Sequence, residues 1–292
     1  MQRLVECVPN FSEGRDPETV RQIAAAIGSV ETACVLDRHI DPDHNRSVIT
    51  FVASPDRIVD AAVAGVKRAS ELIDMRRHEG VHPRFGATDV LPFVPIRGVT
   101  IEECVALAHT AGHIITRELL IPVYYYEHAA LRPDRVNLED VRSAARLKRT
   151  PDEGPSGFHE SAGVVVVGAR LFLIAFNVVL RSNDLTIARQ IARTIRARNG
   201  GLPFLKALGF PLQTRGLVQV SMNLVNYEVT GMGAAYEAVR REAELLGVGI
   251  ESTEIVGLVP GNALDRDAEY FRKLENFSEN TVLENRIAGC GY

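Results

Sequence analysis

The spacing of hydrophobic and polar positions over residues 1–96 predicts alternating strands and helices. Apolar and β-branched residues predict strands at residues 3–8, 33–38, 46–52 and 90–96. Asp16-Pro17 and Ser54-Pro55 each place an N-cap residue before a proline, and apolar residues at helical spacing follow both pairs. The predicted order, βαββαβ, is the split βαβ or ferredoxin-like arrangement.

The rest of the chain predicts an appended unit and then the same order of elements again. Thr100 and Glu103 form a capping box at the start of a helix. The predicted elements that follow are a strand at 121–126, a charged helix at 134–148, a strand at 170–180, a helix at 184–198, a hairpin of 205–212 with 216–225, a helix at 233–247 and a strand at 247–259. We therefore expect an α+β protein of two domains, residues 1–177 and 178–292, which meet along their sheets or edges and bind a small ligand in the cleft.

Composition and charge narrow the class of protein. With 46% hydrophobic residues and a mean hydropathy of +0.01, the 292-residue chain resembles a soluble globular protein. No apolar run reaches the roughly 20 residues that a transmembrane helix needs. No signal-peptide core is present, and the four cysteines include no C-x-x-C pair, so we expect a cytoplasmic protein without a zinc knuckle or a disulfide framework. The net charge of −4 argues against a nucleic-acid surface.

The segment 74–93 carries the strongest candidate chemistry of the chain. It combines two histidines, three arginines and several glycines and prolines immediately before a predicted strand. Pro83 favours an extended backbone at His82, and histidine is the side chain that most readily exchanges a proton near neutral pH. Arg84 follows, and its guanidinium suits a carboxylate ligand. The alternative, a solvated basic turn, is stronger for the arginines at the preceding helix end than for His82 and Arg84.

Two polar turns and a helix offer further candidates, each with a structural alternative. Asn10 lies in the loop after the first predicted strand, where it either holds a polar ligand or belongs to a turn that begins the first helix. Arg46 ends a turn of mixed charge, 41–46, whose simpler interpretation is a solvated tight turn. His109 and His113 have the spacing of two metal ligands, but no third ligand of the H-E-x-x-H kind is near, so we expect an exposed helix face and no metal.

The segment 154–163 is unusually long and rich in small residues for a simple connection. Its small side chains would let a flat ligand approach the backbone, and Phe158 is suited to lie against a ring. The lysine and the spacing of a P-loop are absent, and a flexible inter-domain linker is the alternative interpretation. The residues of this segment are Gly154, Pro155, Ser156, Gly157, Phe158, His159, Glu160, Ser161, Ala162 and Gly163.

The chain carries no sequence signature of a covalent nucleophile. There is no G-x-S-x-G motif, and no cysteine stands in a nucleophile-like setting. One histidine, several arginines and a glycine-rich segment remain. This set favours group transfer by general acid–base catalysis and orientation of the reactants.

Five segments, taken together, resemble the glutamate formimidoyltransferase family. They are VECVPNFSEGRD (5–16), DHNRSVITFV (43–52), LIDMRRHEGVHPRFGATDVLPFVPIRGVT (72–100), GARLFLIAFNVVL (168–180) and NYEVTGM (226–232). The resemblance implies two ferredoxin-like subdomains that face each other across a folate-binding groove, and a dimer. It also implies transfer of the formimidoyl group from N-formimidoyl-L-glutamate to N5 of tetrahydrofolate in histidine degradation, without a metal and without the cyclodeaminase activity of the fused enzymes.

The resemblance also implies roles for particular residues. His82 corresponds to the family's catalytic histidine, and the segment 154–163 corresponds to its folate-contacting segment. On charge and position we expect Arg84, Arg46 and Asn10 to bind substrate, with Asp37 assigned to the same group. The chain has no tryptophan, although relatives often have one near the end of the folate segment. Two alternatives remain open: a formyltransferase that uses N-formylglutamate, and a folate-binding protein without activity.

Overall fold

The chain forms a mixed α+β protein with two separate β-sheets. A computed structural model describes residues 2–42, 45–79, 85–146, 150–275 and 277–292. The chain divides into two compact units, Met1–Arg170 and Leu171–Tyr292. The boundary predicted at residue 177 lies inside a strand of the second unit. Within the described ranges, no helix is both long enough and apolar enough to cross a membrane.

The first unit contains a seven-stranded sheet and four α-helices among its described residues. Its elements are β1 (Leu4–Cys7), β2 (Asn10–Phe11), α1 (Pro17–Gly28), β3 (Cys34–Asp41), β4 (Arg46–Ala53), α2 (Pro55–Leu72), β5 (Thr88–Arg97), α3 (Ile101–Leu119), β6 (Val123–Glu127), α4 (Leu138–Arg146) and β7 (Val165–Ala169). Strands β1 and β2 both pair antiparallel with β4 and β5, so they occupy one position in the sheet. The sheet order is therefore β3, β4, β1/β2, β5, β7 and β6, with β5, β7 and β6 parallel.

The two faces of the first sheet differ in character. Side chains alternate along a strand, and Val5, Cys7 and Phe11 belong to the core formed with the helices α1, α2 and α3. The intervening Glu6 and Asn10 therefore point to the opposite face. A smaller apolar cluster that includes Val90, Tyr124 and Val141 packs α4 against the sheet. The face opposite α1–α3 thus carries polar side chains together with α4.

Local capping signals place the helix starts where the sequence predicts them. Asp16 accepts a hydrogen bond from the Glu18 backbone N–H at 3.0 Å and caps α1. Thr100 and Glu103 make the predicted reciprocal capping box at the start of α3. These interactions depend on residues close in sequence, so the pattern alone is sufficient to find them.

Strand β7 is the main element that the hydrophobic pattern does not predict. Its residues Val165–Ala169 lie between β5 and β6 and pair parallel with both. Every residue of β7 is buried, because α1–α3 cover one face of this part of the sheet and α4 covers the other. Such a strand reads as a continuous apolar run without alternation. The predicted strand 170–180 was wrong at its start, since the observed strand begins only at Ile174.

The second unit contains a four-stranded antiparallel sheet. Its elements are β8 (Ile174–Leu180), α5 (Leu185–Ile195), β9 (Leu205–Leu212), β10 (Leu217–Leu224), α6 (Met232–Leu245), β11 (Ile250–Val256), α7 (Glu269–Arg272) and α8 (Leu283–Gly289). The sheet order is β11, β8, β10 and β9. The β9–β10 hairpin confirms the prediction and pairs Leu212 with Leu217. Apolar residues of α5 and α6 form one core with the sheet.

Candidate functional site

Two predicted site residues, His82 and Arg84, lie outside the described residues. The chain on both sides of the segment 80–84 is described and is held by specific hydrogen bonds. These contacts bring together the loop after β2, the turn before β4 and the segment 154–163. We take this cluster of loops at the end of the first sheet as the candidate site.

The segment before residue 80 is joined to the segment 154–163 by a backbone hydrogen bond and an ion pair. The Met75 backbone N–H donates to the Ser161 carbonyl oxygen at 2.8 Å. Arg76 lies between two carboxylates: its Nε is 2.9 Å from Asp74 Oδ1, and its Nη1 is 2.7 Å from Glu160 Oε1. Hydrogen bonds from Arg76 lower the pKa of Asp74 to about 2. Arg76 is exposed and paired on both sides, so in this arrangement it joins two loops of the protein.

Asn45 fastens the same segment to the loop after β2. Its Oδ1 accepts a hydrogen bond from the Gly14 backbone N–H at 3.0 Å, and its Nδ2 donates to the Glu79 carbonyl oxygen at 3.0 Å. Asn45 is buried and has a φ of +48°, a conformation that asparagine tolerates better than most residues. Gly14 is required here because a Cβ would lie 2.2 Å from the Arg46 backbone nitrogen.

The segment after residue 84 makes several hydrogen bonds with other parts of the first unit. The Phe85 backbone N–H donates to Asp89 Oδ1 at 3.1 Å. Ser12 Oγ donates to the Gly86 carbonyl oxygen at 2.7 Å. The Val164 backbone N–H donates to the Phe85 carbonyl oxygen at 2.8 Å. A Cβ on Gly86 would lie 1.8 Å from the Val164 carbonyl oxygen, so the two backbones approach as closely as only glycine allows.

The segment 154–163 is anchored at its ends and exposed between them. Next to its start, the Tyr125 hydroxyl donates to Glu153 Oε1 at 2.8 Å. At its end, the backbones of His159 and Gly163 exchange hydrogen bonds of 2.9 and 3.0 Å. Residues 154–158 are exposed, including Phe158 at 43%. Because the segment lies within the first unit, it does not act as the linker between the units.

His159 has a defined orientation within this segment. Its Nδ1 accepts a hydrogen bond from the Ala162 backbone N–H at 3.1 Å. With Nδ1 as the acceptor, Nε2 is the ring nitrogen that His159 presents to a ligand in this segment.

Asn10 and Arg46 contact each other, and Asp37 lies apart from them. Arg46 Nη2 donates to Asn10 Oδ1, and Asn10 Nδ2 donates to the Val8 carbonyl oxygen at 3.0 Å. Asp37 pairs in register with Thr50, four residues along β3 from the partner of Arg46. Four residues of a strand span about 13 Å. Asp37 thus lies on β3, the strand next to that of Arg46, but takes no part in the contact between Asn10 and Arg46.

The sequence analysis missed an ion pair between α4 and β5 whose two charges act on Arg46. Arg142 Nη2 of α4 is 2.7 Å from Asp89 Oδ2 of β5, and Asp89 is 1% exposed. Burial lowers the pKa of Arg46, the charge of Asp89 raises it, and the charge of Arg142 lowers it. The only signal in the sequence was an acidic residue at the start of an apolar strand, which does not identify its partner.

Glu6 is a second buried carboxyl on this face of the sheet. It is 1% exposed, and its Oε2 has no hydrogen-bond partner among the described residues. Burial raises the pKa of Glu6 from 4.5 to about 7, and the charge of Arg170 opposes this rise. Glu6 therefore changes its charge in the range where histidines also titrate.

The two helical histidines make separate contacts. His109 Nε2 is 2.9 Å from the Ala129 carbonyl oxygen, and its ring packs edge-on against Tyr125. His113 is 59% exposed, and its Nδ1 is 3.5 Å from Glu153 Oε2. In the part of the chain that the structure describes, no three metal-ligating side chains come together. The site thus offers carboxyls, guanidiniums and backbone donors, which suit a polar substrate with carboxylates.

Comparison with known proteins gives matches of the same kind for both units of the chain. The model of the formiminotransferase domain, N-terminal subdomain, matches residues 4–170, and that of the formiminotransferase domain matches residues 175–288. A glutamate formimidoyltransferase of Thermoplasma acidophilum is 50% identical, with 97% of each chain covered. The glutamate formimidoyltransferase of Streptococcus pyogenes serotype M1 is 42% identical, with 99% of this chain and 100% of that protein covered. The formimidoyltransferase-cyclodeaminase of Rattus norvegicus is 42% identical over 93% of this chain, which spans 53% of the rat protein.

Proposed function

Because this chain belongs to the formiminotransferase family, we propose that it transfers the formimidoyl group from N-formimidoyl-L-glutamate to N5 of tetrahydrofolate. The products are 5-formimidoyltetrahydrofolate and L-glutamate, and the reaction belongs to histidine degradation. The observation that carries this proposal is the 50% identity to a glutamate formimidoyltransferase with 97% of each chain covered. Tetrahydrofolate is a co-substrate, and the reaction requires no metal.

His82 is the proposed general acid and base. N5 of tetrahydrofolate attacks the amidine carbon, and the new C–N bond gives a tetrahedral intermediate. His82 accepts the N5 proton and then donates a proton to the glutamate nitrogen, whose bond to the same carbon breaks. Protonation is needed because the glutamate nitrogen, an amine in the tetrahedral intermediate, leaves poorly as an anion. Positioned proton transfer of this kind contributes about 10²–10⁴-fold to the rate.

Other residues are proposed to bind the two substrates. Arg84 and Arg46 pair with substrate carboxylates, and Asn10 supports Arg46 through its contact with Nη2. The segment 154–163 contacts the folate; its exposed middle and the 43% exposed Phe158 ring support this role. Asp37 is proposed to act at the edge of the substrate site from the neighbouring strand. The short connections between this segment and residues 75 and 85–87 support a common site.

We further propose that each unit has the ferredoxin-like arrangement. In the first unit, the strand order β3, β4, β1/β2, β5 around α1 and α2 supports this assignment. In the second unit, the order β11, β8, β10, β9 supports it in the same way. The ligand groove between the units, the homodimer and the cytoplasmic location remain predictions from the sequence.

A turnover assay tests the reaction and the role of His82 together. Wild type, His82→Gln and His128→Gln are incubated with tetrahydrofolate and N-formimidoyl-L-glutamate, and acid converts the product to its strongly absorbing methenyl form. His128 is an exposed histidine away from the candidate loops and serves as the control. We expect wild-type turnover, an unchanged His128→Gln variant, and a loss of at least about 100-fold in His82→Gln.

The other outcomes separate the parts of this proposal. Full turnover in His82→Gln would keep the reaction and remove His82 as its acid and base. Turnover with N-formyl-L-glutamate but none with the formimidoyl donor would replace the reaction by formyl transfer. Folate binding without turnover of either donor would indicate a binding protein.

A further inference from the structure

Backbone hydrogen bonds hold the two residues before the segment 154–163 against the start of β6. The N–H groups of Asp152 and Glu153 donate to the Val123 carbonyl oxygen at 2.9 and 3.2 Å. The Val123 N–H in turn donates to the Glu153 carbonyl oxygen at 3.0 Å. Val123 is fully buried, so these bonds lie away from competing water. The first sheet therefore fixes the backbone at the point where the exposed segment begins.

Tyr125, two residues further along β6, binds the side chains of both residues. Its backbone N–H donates to Asp152 Oδ2 at 2.9 Å, and its hydroxyl donates to Glu153 Oε1 at 2.8 Å. The hydroxyl has one proton, and the nearer, charged Glu153 oxygen is a stronger acceptor than the His109 carbonyl oxygen at 3.3 Å. The Glu153 side chain is 29% exposed, so it joins a buried strand to an exposed segment.

The Tyr125 ring is packed closely against α3. It is fully buried and lies edge-on to the His109 ring, with 4.6 Å between the ring centroids. Gly112 of α3 leaves room for the hydroxyl, because a Cβ there would lie 2.2 Å from the hydroxyl oxygen. The helix therefore holds the ring in the position from which its hydroxyl reaches Glu153.

The exposed residues 154–158 lie between two anchors. Glu153 and its bond to Tyr125 precede them, and the backbone pair of His159 with Gly163 follows them. Exposed segments with few buried contacts are the least stable parts of a fold, so their arrangement depends on such anchors. A segment that is already ordered also loses less conformational entropy when a ligand binds to it.

We propose that Tyr125 is a positioning residue for tetrahydrofolate: through its hydroxyl and Glu153 it holds the start of the segment 154–163 in the arrangement that binds the folate. This inference rests on the proposed function, in which that segment contacts the folate. Tyr125 acts through Glu153 and takes no part in proton transfer. Its loss therefore changes the affinity for one substrate and leaves the chemical step intact.

Tyr125→Phe tests this role, because it removes the hydroxyl and keeps the ring. We expect the KM for tetrahydrofolate to rise about 10-fold, as for the loss of one hydrogen bond to a charged group. The kcat and the KM for N-formimidoyl-L-glutamate should stay at their wild-type values. Thr110→Ala is the control, since it removes an exposed hydroxyl of α3 that donates to the Ala106 carbonyl oxygen at 2.9 Å, and it should match wild type.

Substitutions of Glu153 show whether the same hydrogen bond is responsible. Glu153→Gln keeps an oxygen that accepts from the hydroxyl, so its KM for tetrahydrofolate should rise less than that of Tyr125→Phe. Glu153→Ala should match Tyr125→Phe, and the double variant should be no worse than either, because both changes remove one shared bond. Additive effects in the double variant, a fall in kcat, or an equal rise in the KM of both substrates would indicate a general loss of structure and overturn the inference.

Calorimetric titration with tetrahydrofolate separates this inference from the proposed reaction. Weaker binding to Tyr125→Phe than to wild type supports the positioning role even if wild type shows no turnover. Unchanged binding and an unchanged KM for tetrahydrofolate, with faster amide hydrogen exchange at residues 152–163, would show that the anchor orders the segment without setting folate affinity. That result refutes the inference and leaves the reaction in place. Glu153→Ala provides the same comparisons if Tyr125→Phe fails to fold.

Discussion

Replacing Glu6 with glutamine tests whether a buried carboxyl limits the stability of the first unit above neutral pH. Glu6 is 1% exposed on β1, and burial raises its pKa from 4.5 to about 7. The folded protein therefore holds a proton at pH 5–7 that the unfolded chain releases. Because the folded state binds more protons, its stability falls as the pH rises from about 4.5 to 7, and the loss is complete above pH 7.

The magnitude follows from the difference between the two pKa values. One pKa unit corresponds to about 1.4 kcal/mol, so a rise from 4.5 to about 7 costs about 3 kcal/mol once Glu6 is ionised. Glutamine has nearly the same shape and carries no charge at any pH. Glu6→Gln should therefore be close to wild type in stability at pH 4.5 and more stable by about 3 kcal/mol at pH 8.

Urea unfolding at a series of pH values from 4.5 to 8 measures this difference. The free energy of unfolding of Glu6→Gln minus that of wild type removes the contribution of all other titrating groups. Glu31→Gln is the control, since Glu31 is 80% exposed and lies 3.8 Å from Arg57; its difference should vary little with pH. A pH-independent difference for Glu6→Gln would refute a burial-driven shift. A less stable variant at pH 8 would show that attraction to Arg170 outweighs the cost of burial.

Three further substitutions test the loop cluster and the core. Gly163→Ala should cost about 2 kcal/mol or more in thermal unfolding, because its φ is +70° and a Cβ would lie 2.0 Å from a facing carbonyl oxygen; Gly157→Ala, with a φ of +96° in open space, should cost less. Asp152→Asn should cost about 3–5 kcal/mol, because it leaves the buried Arg135 guanidinium, 2.6 Å from Asp152, without its counter-charge, and Arg135→Met in the same chain should restore part of this. Thr100→Ala should cost about 1 kcal/mol by removing the capping box, and Thr100→Ser should be nearly neutral. Equal costs for Gly163→Ala and Gly157→Ala would contradict the argument from the facing carbonyl oxygen. A double variant no more stable than Asp152→Asn would contradict the argument from the buried charge. Equal costs for Thr100→Ala and Thr100→Ser would contradict the argument from capping.

Elements whose signals are local were predictable from the sequence, and those defined by distant partners were not. The N-cap residues Asp16, Thr100 and Asp184 begin helices where the sequence predicts them, because a capping hydrogen bond joins residues two or three apart. Strand β7 has no such signal: it is buried on both faces, and its position between β5 and β6 depends on parallel partners far along the chain.

The candidate site shows the same division. Asn10 and Arg46 could be selected from the sequence as polar residues at the ends of predicted strands, and the structure brings them into contact. The pair of Arg142 with Asp89 joins residues 53 positions apart, and nothing in either local sequence indicates the other. Its significance depends on burial, because an exposed pair of this kind contributes little to stability or binding.

The helix starts, most of the strands, the α+β class and the family are predictable from the order of residues alone. They are predictable because capping, alternation of apolar residues and long motifs are properties of neighbouring positions. Only the fold brings the segment 154–163 against residues 75 and 85–87 and pairs Arg142 with the buried Asp89. It also decided that Glu6 is buried, which raises its pKa. These features depend on how the strands pair and on which groups lose contact with water, and both are set by contacts between residues distant in sequence.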